Sequence, residues 1–129
     1  MNQRREDARL RFELSQGQAR NEAIAAQRLI DEFVATCRER GIAPEPLRAS
    51  LISGPAVKTD KQGWYIRANK SLAIGEGGEF YQLTVPGSMM DRLRGVKLQP
   101  TQPVLVVNRG GRDGDAGDLA DFLAWRLAN

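Results

Sequence analysis

GWYIRANKSLAIGEGGEFYQLTV, Gly63 to Val85, is the stretch on which the fold turns. The apolar-rich runs Gly63–Arg67 and Ser71–Gly75 are joined by Ala68, Asn69 and Lys70, and Glu79–Val85 follows across Glu76, Gly77 and Gly78. Short apolar runs separated by polar, glycine-bearing links predict an antiparallel meander of three strands. Alternation then sorts the side chains. Trp64 with Ile66, Leu72 with Ile74, and Phe80, Gln82 and Thr84 against Tyr81, Leu83 and Val85 set out two faces. With one face buried, about half the aromatics become core, and Tyr65, Arg67 and Tyr81 are expected outside.

Upstream, Ala49–Ser53 reads as an added edge strand; downstream, Pro103–Asn108 reads as another, with Val104 to Val107 as a continuous apolar core. Pro86 breaks the sheet between them. Gly87–Leu93, containing Met89 and Met90, reads as a turn or a single helical turn. A final helix is expected over Asp118–Ala128, with Leu119, Phe122, Leu123 and Leu127 inward and Asp115 or Asp118 as its cap.

From about Ala19 to Arg40 the pattern is that of an amphipathic helix. Ala23, Ala26, Leu29, Ile30, Phe33, Val34 and Cys37 share one stripe, while Arg28, Asp31, Glu32 and Arg38 point away. Gly41 is the expected left-handed stop, and Pro44 and Pro46 prevent continuation. Cys37 lies on the buried stripe and reads as a small core hydrophobe. Ahead of this helix, Ala8, Leu10, Phe12 and Leu14 alternate with Arg9, Arg11, Glu13 and Ser15. Strict alternation argues for a strand, whereas the Arg- and Glu-rich composition argues for a helix. Both readings stay open, so the chain divides into an arm of undecided structure, residues 1–18, and a single domain, residues 19–129. The fold class expected is α+β, a long N-terminal amphipathic helix and a short C-terminal helix packed on an antiparallel sheet of three to five strands.

Gly63–Val85 and Pro103–Asp115 (PVLVVNRGGRDGD), together with RLIDEFVATCRERGIAPEPL before them, resemble a group of small bacterial proteins of unknown function. The likeness spans about Gln27 to Leu127. It implies that these pieces form one domain, and it carries no activity or binding residue.

Composition narrows the chemistry. There is no histidine and one cysteine, which removes the usual proton shuttle, the commonest metal ligand and any internal disulfide. No SxxK, GxSxG or CxxC occurs, and Glu76 and Glu79 stand in a glycine-rich turn where carboxylates are normally solvated. A non-catalytic role without cofactor or metal is expected. A chain of 129 residues suffices for one core, burying roughly 65% of the unfolded surface. No run approaches the ~18 apolar residues needed to cross a bilayer, no secretion signal follows the charged start, and a cytoplasmic location is expected.

Net charge is +3, but Gly41–Arg112 holds 10 basic and 5 acidic residues while Asp113–Asn129 holds 1 and 4. Such asymmetry fits attraction within the fold or a basic face for an anionic partner. Four arrangements are weighed as ligand sites. The glycine-rich loop Asn108–Gly117 leads from a strand to a helix start, so its backbone N–H groups with Arg109 and Arg112 could hold a phosphate. It lacks both GxxxxGK and GxGxxG. Asp113, Asp115, Asp118 and Asp121 invite calcium, but an EF-hand loop needs glycine where Asp118 stands and glutamate where Ala124 stands. Gly111-Arg112-Asp113-Gly114 fits the GXXG of RNA-clamping KH loops only by composition, since it follows a strand. Trp64, Tyr65, Arg67, Lys70, Phe80 and Tyr81 interleave aromatic and basic groups as a single-strand binder would.

The reading preferred on these grounds is a protein-interaction domain that associates with itself or another protein through the arm and Trp125. The alternative is a binder of phosphate-containing ligands or single-stranded nucleic acid through Tyr65, Arg67, Lys70, Asn108, Arg109 and Arg112. Neither reading involves a membrane.

Overall fold

Helix α1 (Asn2–Arg40) runs unbroken for 39 residues, about 58 Å at 1.5 Å per residue. The computed structural model describes residues 2–52, 54–86, 94–107 and 116–129. The undecided arm is therefore helical, and the helix begins at Asn2 rather than near Ala19. Gly17 makes no break, because the Arg, Glu, Gln and Ala around it favour helix and, among the described residues, no strand pairs with Leu10–Leu14. The expected stop is present: Gly41 has φ 70°, its N–H donates to Arg38 O at 3.2 Å, and Ile42 N–H donates to Cys37 O at 2.8 Å. These two bonds satisfy two of the four carbonyls that the helix end leaves without a partner.

The next five strands are β1 (Glu45–Leu51), β2 (Ala56–Tyr65), β3 (Leu72–Gly75), β4 (Phe80–Gln82) and β5 (Thr84–Val85). Their order in the sheet is β4-β3-β2-β1-β5. All pair antiparallel except β1 with β5, which is parallel. Only Leu83 separates β4 from β5, yet they occupy opposite ends of the order. The sheet therefore curls until one run of chain, Phe80–Val85, joins its two edges. Leu83 is the joint: its N–H donates to Ser71 O at 2.9 Å, and its carbonyl accepts from Ser50 N–H at 2.7 Å. Gly63 and Gly75, paired across β2 and β3, permit the curl, since a Cβ on Gly63 would strike the Ile74 carbonyl.

Closure buries both faces. The outer face of β2–β4, carrying Trp64, Leu72, Ile74 and Phe80, packs against Ala26, Ile30, Phe33 and Cys37 of α1. Trp64 meets Phe33 edge-to-face at 6.0 Å, and its Nε1–H donates to Ile42 O at 2.9 Å. The inner face holds Leu47, Ala49, Leu51, Val57, Tyr65, Ala73, Tyr81 and Leu83. Tyr65 and Tyr81 are thus buried, not outside; the expectation of a solvated second face fails because that face lines the interior of a closed sheet. The Tyr65 hydroxyl accepts from Arg48 N–H at 2.8 Å.

A strap over residues 94–101 closes this interior. β2 carries extra residues opposite β1 between Pro46 and Arg48, and the bulge turns Asp60 toward the strap. Thr59 Oγ1 steadies it by donating to Leu47 O at 2.7 Å and accepting from Lys61 N–H at 3.2 Å. Val96 N–H donates to Lys58 O at 2.9 Å, and Thr101 N–H donates to Phe80 O at 2.9 Å. Leu98, between them, is buried in the inner cluster.

The last elements are β6 (Val106–Val107), β7 (Gly117–Asp118) and α2 (Leu119–Ala128). The strand expected over Pro103–Asn108 is shorter, and it pairs with β7 in a separate two-stranded sheet. Val107 is buried while Val104, Leu105 and Val106 are half-buried, and Val104 and Leu105 pack against the core that α1 and α2 share. Glu22 Oε1 of α1 accepts from Leu105 N–H at 3.0 Å. Asp118 occupies the N-cap position of α2 without a side-chain cap bond. Leu119 and Leu123 are buried, and Phe122 and Leu127 pack against the same core. Gly87–Leu93 lies outside the described residues.

Candidate functional site

The first half of α1 stands away from the body of the protein: Asn2–Gln16 and Gln18–Asn21 are exposed throughout. A helix is normally stabilised by burying one apolar face, and this stretch buries none. Four large apolar residues are nonetheless on it or at its root: Leu10, Phe12, Leu14 and Ile24, 53% to 66% exposed. Leu10, Leu14, Gly17, Asn21 and Ile24 follow one another at intervals of four and three residues, the a/d spacing of a two-stranded coil. This seam lies on the side of α1 opposite the buried line Ala26, Ile30, Phe33 and Cys37, so the body does not obstruct it. Phe12 stands with Ala8 and Ala19 on the continuation of the buried line of α1, and the seam does not cover it.

The seam was hidden in the sequence by the alternation of Ala8, Leu10, Phe12 and Leu14. On a strand those four share a face; on a helix Leu10 and Leu14 go one way and Ala8 and Phe12 the other. The intervals from Leu10 through Ile24 were the signal that distinguishes the two cases.

A concave surface lies beside α2. Phe122 and Trp125 of α2, with Ile66, Arg67 and Asn69 beyond β2 and Asp121 at the edge, line a shallow groove of ≈ 360 Å³. Trp125 is 38% exposed there. Arg67 is half-buried, with its guanidinium over the Phe122 ring at 5.2 Å and its NH1 donating to Ser71 Oγ at 3.3 Å. Lys70 holds its Nζ 5.3 Å from the Tyr65 ring. Arg67 and Lys70 thus both make contacts within the fold, and Tyr65 faces the interior. Asn108, Arg109 and Arg112 lie outside the described residues, as do Asp113 and Asp115, so the Gly-rich loop is not placed beside them.

Chemistry at Cys37 is muted. The thiol is buried, and burial pushes its pKa up against the opposing charges of Arg126 and Arg40. Among the described residues no three His, Cys, Asp or Glu side chains group for a metal, and no helix is long and apolar enough to cross a membrane. No protein-family model, curated protein or solved structure matches the chain.

Proposed function

We propose that this protein works by binding rather than turnover, as a cytoplasmic interaction domain whose partner is a second copy of itself, docked arm to arm. The observation that carries the reading is the exposed seam of Leu10, Leu14 and Ile24, which runs along the first half of α1, where no face is buried, to its root. A parallel pairing suits the charges. With Leu10 at d and Leu14 at a, Glu6 falls at g and Arg11 at e, so Glu6 of one copy faces the partner's Arg11. Asn21 falls at an a position, where paired asparagines fix register in parallel dimers. An antiparallel pairing sets g against g and e against e, and so forgoes the contact between Glu6 and the partner's Arg11.

Burying each seam side chain contributes about 2 kcal/mol, against an association cost of roughly 4–15 kcal/mol. Three apolar residues per copy therefore support a concentration-dependent dimer, not an obligate one. The lone buried Cys37 suits a reducing compartment.

Sedimentation equilibrium tests the reading. The full chain is expected to dimerise with rising concentration, the Leu10→Glu/Leu14→Glu variant to remain monomeric, and Phe12→Glu, off the seam, to dimerise as the parent does. A parent chain monomeric at every concentration would refute it.

A further inference from the structure

The outer face of the β1–β2 hairpin carries a cluster of positive charge that self-association does not use. Arg48 and Lys58 are direct cross-strand partners, and both are exposed on the outward side of strands whose Leu47, Ala49 and Val57 point in. Like charges placed opposite each other on a sheet oppose folding. The strap adds two more: Lys58, Arg94 and Lys97 line one groove of ≈ 410 Å³. Their proximity is built into the backbone, since Val96 N–H bonds Lys58 O and Gly95, at φ 84°, lets the strap come close. A Cβ on Gly95 would sit 3.0 Å from the Lys58 carbonyl.

Asp60 supplies the groove's carboxylate, and it is already engaged. Its Oδ1 accepts from Leu98 N–H and its Oδ2 lies 3.3 Å from Lys61 Nζ. Among the described residues, Arg48, Lys58, Arg94 and Lys97 have no ion-pair partner. Four cations from two strands and a strap are therefore exposed and outside any ion pair among the described residues.

We infer that this face binds the phosphodiester backbone of a nucleic acid, independently of base sequence. Phosphate contacts need cations and little else, and the groove offers cations, Thr59, Gly95 and a half-buried Val96. A protein partner would require an aromatic or aliphatic anchor site, which this groove does not provide.

Fluorescence anisotropy of labelled single-stranded and duplex oligonucleotides, DNA and RNA, titrated with the full chain across a salt series, tests the inference. Four phosphate contacts give a log–log salt slope of about −3 on a single strand and about −4 on a duplex, and the slope observed identifies which form is bound. Arg48→Gln/Lys58→Gln/Arg94→Gln/Lys97→Gln is expected to weaken binding at least about tenfold and flatten the slope. Arg4→Gln/Arg5→Gln/Arg9→Gln/Arg20→Gln, which removes the same charge from the arm, is expected to leave both nearly unchanged. Single substitutions Lys58→Gln and Lys97→Gln, each flattening the slope by about one contact, guard against misfolding of the quadruple variant. No salt-dependent binding by the parent chain, equal loss in the arm variant, or equal competition by polyglutamate would each overturn it.

Discussion

Asp60 Oδ1 accepts a 2.9 Å hydrogen bond from the Leu98 N–H, and this bond ties the strap to the bulge of β2 across the mouth of the closed sheet. The carboxyl's own partial burial acts to raise its pKa, but the Leu98 N–H and Lys61 outweigh it and hold Asp60 below the usual carboxylate range. A group with a depressed folded pKa stabilises the protein above its unfolded pKa and loses that contribution as pH falls through the folded value. Stability should therefore decline on acidification below the ordinary aspartate range. Urea unfolding between neutral pH and pH 3 is expected to show a shallower decline for Asp60→Asn, which still accepts from Leu98 but cannot titrate. Asp60→Ala should cost about 1 kcal/mol at neutral pH.

Leu98 itself fills the interior that Tyr65, Tyr81 and Leu83 line. Leu98→Ala is expected to cost about 2–5 kcal/mol in urea unfolding. Burial, with the charges of Glu79 and Asp60, holds the Tyr81 phenol above its ordinary range. In the variant that phenol should titrate closer to normal by ultraviolet absorbance.

How much of this was open to a reader of the sequence depends on range. The stripe from Ala23 to Cys37 and the stop at Gly41 were legible because helix period and left-handed glycine are local signals. The meander was legible through its glycine-bearing links. Closure was not, because it depends on Leu83 bonding Ser50 and Ser71 at once, a long-range register that alternation does not encode. Tyr65 and Tyr81 were misplaced for that reason alone. The basic face escaped for a related one: the bulge at Thr59–Lys61 sets Lys58, and not a neighbour, opposite Arg48.

Trp64 joins α1 to the sheet both by contact with Phe33 and by its bond to Ile42 O. Trp64→Phe keeps most of the apolar burial but leaves that carbonyl without its indole partner, at about 1–3 kcal/mol. Trp64→Ala adds a cavity and should cost about 3–5 kcal/mol. Equal costs for the two, measured by thermal unfolding, would show that packing contributes nothing there.

Cys37 is expected to react slowly with a thiol reagent in the folded protein and rapidly in denaturant, since it is buried and its pKa is raised. The reaction rate should follow the fraction unfolded across a urea titration. Fast modification of the native chain would contradict the packing of α1 on the sheet.

The parallel, in-register pairing of two arms is tested most directly by pulsed dipolar spectroscopy between copies spin-labelled at a single site. Arg9→Cys and Gln16→Cys, each in a Cys37→Ala background, place labels one heptad apart on the same outer line of α1. Both sites are expected to give the same short distance between copies. Absence of dipolar coupling at high concentration, or distances that differ between the two sites, would contradict the account.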